Sequence, residues 1–386
     1  LLIWARESVH IPQSDAAKRV GIPLDRLRAW EAGEDAPSIP QLRKLGNLYK
    51  RPIAVFFLSE PPTTFDAQRE FRKLKGIRAG KESTALLLAL RQASYQRQVA
   101  IDLQNLLAAE MSEFQFPELH PDIDPELAGA HIREWLGIPW QTQLHSWPSP
   151  HAALKGWKSA LESLGILIFQ TGNIPLDEMR GVCLPDTPFP VILLNSKDAP
   201  HGRIFSLLHE FIHILFHAAG HRTSRMEGQK SPEEQMLEVA ANRITATTLL
   251  PETEFLNVLK SYPGATQGDD DQLRLLSQKV KTSPETVLRR LVTLGQARAT
   301  IYRVKRTEWQ HEHGSNPWYI RQQKEVRIPQ KIKILSKDGA SYTRMVLEAY
   351  DRRLISSSTA SDYLDAKPKH FPDLRKELTA SPVSRI

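Results

Sequence analysis

The residue spacing with the clearest chemical meaning is His209-Glu210-Phe211-Ile212-His213, an H-E-x-x-H pattern. Positions i and i+4 of a helix lie on one face, so two neutral imidazoles at this spacing can bind one metal ion. Glu210 follows the first histidine and could act as a general base toward water beside that ion. The pattern also occurs by chance, with both histidines on the polar edge of a helix. Its apolar flanks favour the metal site, because imidazoles are otherwise poorly placed in a core helix.

A third metal ligand is expected on the next helix. Glu238 lies 25 residues after His213, and a helix returning antiparallel to the first would bring it opposite the histidines. Glu234 competes for this role, but it also completes an S-x-x-E capping box with Ser231, which favours Glu238 as the ligand. Asn242 follows Glu238 by one turn and could orient a ligand histidine.

Two further histidines near the motif are interpreted as non-ligands. His217 lies four residues after His213, which could indicate three ligands on one helix. His209 and His217 are then about 12 Å apart along the axis, too far to share a metal ion. We also expect that His221 is not a metal ligand.

The elements that must position these residues alternate between helix and strand. Short apolar runs predict strands at 165–170, 179–184 and 190–195. Periodic apolar residues and capping signals predict helices at 83–109, 118–139, 152–164, 202–218, 231–250, 271–281, 283–294, 342–350 and 358–364. The basic, aromatic stretch 302–334 has little helical period, which favours short strands or extended segments.

The N-terminal residues 1–60 predict several short helices with tight turns. Gly21 and Gly33 follow two helical runs at the position where a left-handed residue ends a helix. Pro23 precedes the second of these runs, where its missing N–H costs nothing. Two helices joined by a glycine-containing turn within about twenty residues are typical of a helix-turn-helix.

Composition sets the remaining limits. The chain has 386 residues, of which 41% are hydrophobic and 25% charged, and this predicts two or three globular domains. No stretch approaches the apolar length of a membrane span, so we expect no membrane association. Cys183 is the single cysteine, and a reducing, cytoplasmic setting fits. Basic side chains are in excess in residues 1–80 and 297–386, which suits contact with a polyanion.

The segments around the motif resemble the ImmA/IrrE family of metallopeptidases. The matching runs are 205–217, 238–246 and 249–251. The resemblance implies a gluzincin-like site, with His209, His213 and Glu238 as ligands of Zn²⁺, or alternatively Mn²⁺, and Glu210 as catalytic base. It also implies that the strand at 190–195 is the edge strand beside the cleft. The family includes proteases that cleave a partner repressor of the helix-turn-helix type and so derepress stress-response or mobile-element genes.

The N-terminus resembles an XRE-type helix-turn-helix, on the residues 17–21, 27–33 and 37–42. This implies that Arg26 and Arg28 face DNA, where they could read guanine or grip phosphate. Acidic neighbours weaken that expectation, and the alternative is a protein-docking or dimerisation module. They are Asp25, Glu31, Glu34 and Asp35. Segments 69–72 and 346–350 also look like parts of such fused proteins.

We therefore predict an α+β, mostly helical multidomain chain: a helix-turn-helix bundle, then a gluzincin-like metallopeptidase domain with a small sheet. The predicted divisions are a helix-turn-helix domain at 1–60, a helical linker at 61–150, a peptidase domain at 151–260 and a basic helical region at 261–386. The predicted function is a cytoplasmic regulatory endopeptidase acting on a repressor, with DNA contact through the first domain and a homodimer as one arrangement. The alternative is a DNA-binding regulator whose metal site is structural or sensory.

Overall fold

The protein is described by a computed structural model over residues 1–51, 53–61, 83–107, 116–221, 231–311 and 328–379. Helices dominate this part of the chain and accompany one three-stranded sheet, which confirms the predicted α+β class. Segment 69–72 and most of the Pro-Pro-Thr-Thr stretch at 61–64 lie outside the described residues. No helix in the described ranges has the length and apolarity that crossing a membrane requires.

The N-terminal bundle has the predicted helix-turn-helix outline. Gly21 and Gly33 adopt left-handed conformations, with φ of 76° and 80°, and end the second and third helices. Leu27 and Trp30 are buried at the centre of this bundle. The helices are α1 (Leu2–Glu7), α2 (Gln13–Val20), α3 (Leu24–Ala32) and α4 (Ile39–Tyr49), followed by a 3₁₀ turn at Ile53–Phe57.

The helix Thr84–Leu107, α5, connects this bundle to the sheet. The buried guanidinium of Arg91 donates to the carbonyl oxygens of Ser8 at 2.5 Å and of Tyr49 at 3.4 Å, both in the bundle. At the sheet end, Arg97 donates to carbonyl oxygens of residues 186–189 in the turn between the last two strands. One helix therefore contacts both parts of the protein.

The sheet contains β1 (Leu167–Thr171), β2 (Gly181–Leu184) and β3 (Val191–Asn195), in the order β1-β3-β2. β3 pairs parallel with β1 and antiparallel with β2. The sequence resemblance implied that the strand at 190–195 is the edge strand, and this is wrong. All five residues of β3 are buried, as expected of a strand that is paired on both sides and covered on both faces.

Alternate residues of β3 enter two different hydrophobic cores: Ile192 and Leu194 enter the front core, and Val191 and Leu193 enter the rear core. Ile192 and Leu194 face the helices Pro150–Glu162, α7, and Pro200–Ala218, which we call the motif helix. Val191 and Leu193 face α5 and the C-terminal helix Ala340–Asp351. The C-terminal residues therefore cover the rear of the sheet that supports the motif helix.

The remaining helices complete these two cores. The sequence predicts short strands or extended segments over 302–334, and this is wrong for its described residues, which fall mainly in two helices. Ile301, Tyr302 and Trp309 pack against the front core at helical spacing, and the intervening basic residues obscured that period in the sequence. The helices are α6 (Pro125–Trp135), Pro232–Leu249, Glu252–Leu259, Asp270–Val280, Pro284–Thr293, Ala299–His311, Gln330–Asp338, Ser357–Leu364 and Phe371–Thr379.

Candidate metal centre

The motif helix presents two imidazoles from otherwise buried surroundings. It begins at Pro200, which occupies a first-turn position, and most of its apolar side chains enter the front core. His209 and His213 lie one turn apart, with their Nε2 atoms separated by 3.1 Å. Their side chains are 15% and 3% exposed. The two nitrogens therefore converge at a protected point.

The helix Pro232–Leu249, which we call the return helix, supplies a carboxylate to the same point. This carboxylate belongs to Glu238. Its Oε1 atom lies 3.4 Å from His213 Nε2, and its Oε2 atom lies 3.7 Å from His209 Nε2. The ligand atoms of the three residues all lie within 4.8 Å of one another. Glu234 instead closes the predicted capping box, since Ser231 Oγ accepts its N–H and its carboxylate accepts that of Ser231, each at 3.1 Å.

The C-terminal half of the return helix is fixed by α6. A Cβ atom at Gly129 would lie 2.7 Å from Thr247 Oγ1 and 2.8 Å from the backbone N of Thr248, so only glycine permits this approach. Thr247 Oγ1 donates to the carbonyl oxygen of Pro125 at 2.6 Å, and the buried Arg133 donates to that of Thr248 at 2.8 Å. These contacts set the register that brings Glu238 to the histidines.

Glu210 lies between the motif helix and the edge of the sheet. Its side chain is buried, with 4% of the residue exposed. A Cβ atom at Gly181, the first residue of β2, would lie 3.2 Å from Glu210 Cγ and 3.6 Å from its Oε1. The carboxylate is therefore confined next to the edge strand and one residue along the chain from His209.

The other predicted neighbours are placed as follows. Asn242 Nδ2 donates to the backbone carbonyl oxygen of Glu238 at 2.8 Å, so this bond supports the main chain of the return helix and reaches no histidine ring. His221 Nε2 lies 3.4 Å from Nδ1 of His120. Over the described residues, neither His217 nor His221 belongs to the cluster of ligand atoms.

A cavity of about 890 Å³ lies beside the cluster. Phe205 lines it and stacks on the His209 ring, with ring centroids 6.2 Å apart. Asn242 and Arg243 line it from the return helix. The three converging residues and Glu210 are not among its lining residues, so the cavity adjoins the cluster through Phe205.

The donor set fits a divalent transition metal ion. Two imidazole nitrogens and one carboxylate oxygen are typical zinc ligands, and three protein ligands leave a coordination position for substrate or solvent. Their convergence within 4.8 Å, next to a cavity, suits such an ion. A similar set also accepts other divalent ions, because geometry and availability decide among them.

The second candidate site is the exposed face of α3. Arg26 Nε lies 4.0 Å from an Oδ atom of Asp35, and its guanidinium lies over the Trp30 ring at 5.5 Å. Arg28 donates to Asp25 at 3.2 Å. Both arginines are exposed, and both have an acidic neighbour on the same surface.

Glu31 was counted among the acidic residues of that surface, and this is wrong. Its side chain is buried and accepts from Arg6 Nε and from Gln13 Nε2, each at 2.6 Å. The bundle uses this carboxylate to join α1, α2 and α3. The exposed face of α3 is therefore less acidic than the sequence indicates.

Models of two known protein families match the segments that contain the two candidate sites. The family model described as helix-turn-helix matches residues 2–56, and the peptidase M78 model, described as the IrrE N-terminal-like domain, matches residues 161–292. Residues 2–56 are therefore a helix-turn-helix domain, and residues 161–292 are an IrrE-like peptidase domain in the same chain. This confirms the resemblance to the ImmA/IrrE and XRE-type families. No curated protein matches the chain.

The matched range of the IrrE-like domain contains the three strands, the motif helix and the return helix. The two matches support a metallopeptidase-type enzyme with a metal cofactor, fused to a DNA-binding domain. Sequence reasoning missed Gly181, Gly129 and the cavity arginines, because each acts through a contact between elements distant in the chain. A glycine at the start of a strand was the only local signal for the first of these.

Proposed function

We propose that this fusion is a regulatory, zinc-dependent endopeptidase of the gluzincin-like kind, which hydrolyses a peptide bond in a helix-turn-helix repressor. The observation that carries the proposal is the convergence of His209, His213 and Glu238, with the buried Glu210 beside His209. Cleavage of the repressor would release stress-response or mobile-element genes. We expect the reaction to occur in the cytoplasm, with Zn²⁺ or alternatively Mn²⁺.

In this proposal the four residues have separate roles. His209, His213 and Glu238 would hold the metal ion, which would supply a Lewis acid for the scissile carbonyl and for water. Glu210 takes a proton from the attacking water and transfers it to the leaving amine. The confinement of Glu210 against Gly181 supports this role, because a general base must be held within hydrogen-bond reach of its proton. Asn242 supports the backbone of Glu238.

The edge strand offers a way to hold the substrate backbone. In the described part of the chain, no strand pairs with the outer edge of β2. An extended peptide could add to such an edge by main-chain hydrogen bonds. Gly181 in β2 is next to Glu210, so a peptide bound there would have its scissile bond near the proposed base.

The helix-turn-helix domain would bring the peptidase to DNA. Arg26 and Arg28 are exposed on α3, which supports contact with bases or phosphates in the major groove. Binding would bring the protease to the DNA at which its repressor works. A homodimer would match the two-fold symmetry of many operators.

The proposal is tested on the purified chain supplied with Zn²⁺, with host proteins as substrate. Wild type should generate new protein N-termini, and Glu210→Gln should bind the same amount of zinc without generating them. His213→Ala should lose both properties. If wild type and Glu210→Gln behave alike while both bind zinc, the chain is instead a DNA-binding regulator with a structural or sensory metal site.

A further inference from the structure

The cavity beside the metal centre is lined by an unusual number of arginines. Arg243 comes from the return helix, Arg289 and Arg290 from the helix Pro284–Thr293, Arg180 from the residue before β2, and Arg306 from Ala299–His311. A concave surface with several cations concentrates a field that attracts anionic groups.

Three of the arginines have carboxylate partners. Arg290 is buried and pairs with Glu126. Arg180 Nη1 lies 3.1 Å from the buried Asp198. Arg306 Nε lies 3.9 Å from Glu285 Oε1. These three charges are neutralised locally, so they shape the cavity wall and leave little attraction for a ligand.

Arg243 and Arg289 differ from the other three. Both are exposed residues of the cavity wall, and neither has an ion pair with any carboxylate of the described residues. Arg243 also lines a second cavity of about 740 Å³ along the return helix. It therefore lies where the two cavities meet, one turn beyond Val239, which is exposed and lines both.

Four carboxylates also belong to the wall of this cavity. Asp124 accepts the N–H of Leu127 as a helix cap, and Glu126 is engaged by Arg290. Glu285 accepts the hydroxyl of Tyr302 and is close to Arg306. Glu252 is the remaining carboxylate of the lining. Asp124 and Glu252 thus equal Arg243 and Arg289 in number of charges, and what distinguishes the two arginines is that their exposed guanidinium groups have no ion pair among the described residues.

We propose that Arg243 and Arg289 are specificity-determining residues that bind acidic side chains of the polypeptide substrate. The inference rests on the proposed function in taking the ligand to be a polypeptide. Arginine suits this role, since its guanidinium donates two parallel hydrogen bonds to a carboxylate. Phe205 lines the cavity and stacks on His209, so a substrate anchored by the two arginines would be held next to the metal centre.

The test measures binding separately from cleavage. The zinc-loaded Glu210→Gln chain is titrated with fluorescein-labelled peptides that share a leucine- and serine-rich sequence and differ only in two central residues: aspartate, asparagine or lysine. Fluorescence anisotropy should show the aspartate peptide binding about tenfold more tightly than the asparagine peptide. This preference should weaken as the salt concentration rises.

Charge reversal identifies the residues responsible. Combining Arg243→Glu with Arg289→Glu should abolish the preference for aspartate and favour the lysine peptide. Arg303→Glu, on the neighbouring helix but outside the cavity lining, is the matched control and should leave the preference unchanged. Equal binding of all three peptides, or an equal effect of the control, would overturn the inference.

The two proposals fail in different ways. A wild-type chain that cleaves proteins without any charge preference would contradict the role of the arginines alone. A chain that binds aspartate peptides selectively but never cleaves a protein would contradict the peptidase and retain the acidic-peptide site.

Discussion

A Cβ atom added to Gly181 would lie 3.2 Å from Cγ of Glu210 and 3.1 Å from Cβ of Ser206. Gly181 does not have a positive φ, so what excludes a larger residue is space and not backbone conformation. The start of the edge strand therefore confines the proposed catalytic base on the motif helix.

Gly181→Ala should lower the cleavage rate without removing the metal ion. The new methyl group must displace Glu210, and a small displacement of a reacting group can reduce a rate by about 10- to 100-fold. The measurement is the turnover of a cleaved host protein together with the zinc content. Gly172→Ala, just after β1 and next to Ser196, is the control. Full activity of Gly181→Ala would contradict the confinement.

The two glutamates of the return helix should separate metal binding from helix capping. Glu238→Ala should lose zinc, because it removes one of the three converging ligands. Glu234→Ala should retain zinc and lose about 1 kcal/mol of stability with its capping box. Zinc content and urea unfolding check both. The reverse outcome, with zinc lost only in Glu234→Ala, would refute the assignment of Glu238.

Gly129→Ala should destabilise the protein by about 1–3 kcal/mol, because its methyl group would overlap Thr247 and the backbone of Thr248. Helix propensity alone predicts the opposite, a gain of about 0.5–1 kcal/mol. The free energy of urea unfolding decides between them. An increase in stability would mean that α6 and the return helix are not in the contact described above.

The stability of the rear core should depend on pH through Asp338. This residue is buried and accepts from Gln96 Nε2 at 2.9 Å, and burial raises its pKa from 3.8 to about 6. The folded chain thus binds the proton more tightly than the unfolded chain. The stabilisation contributed by protonated Asp338 is present in full below pH 3.8 and is lost as the pH rises through about 6.

Asp338→Asn isolates that dependence, since its amide oxygen can still accept from Gln96. The free energy of unfolding of Asp338→Asn relative to wild type should rise between pH 4 and pH 6, by up to about 3 kcal/mol, and then level off. Urea unfolding of both chains across this range is the measurement. A difference that does not change with pH would contradict the burial of an ionisable Asp338.

Local patterns predicted much of the fold and the candidate centre. The i, i+4 spacing of His209 and His213 places both on one helix face. Glu234 is engaged in the capping box with Ser231, and Glu238, the next glutamate one turn on, is the one that meets the histidines. Glycines also marked the ends of α2 and α3 correctly. Each of these signals is contained within a few residues.

Relations between distant segments could not be predicted in this way. Strand order depends on pairing, so the sequence did not show that β3 is central and β2 is the edge. The burial of Glu31 depends on Arg6, which lies 25 residues earlier. The helix Ala299–His311 was missed because basic residues interrupt its apolar face. The cavity arginines come from four separate segments and share no local pattern.

The most direct test of the central claim is a comparison of protein N-termini in cells of the native host under stress. Strains carrying wild type or Glu210→Gln are compared by N-terminal proteomics, and the zinc content of both proteins is measured. We predict a new N-terminus in a helix-turn-helix repressor that occurs only with wild type, while both proteins bind zinc equally. Identical sets of N-termini in the two strains would contradict the claim that Glu210 serves a peptidase.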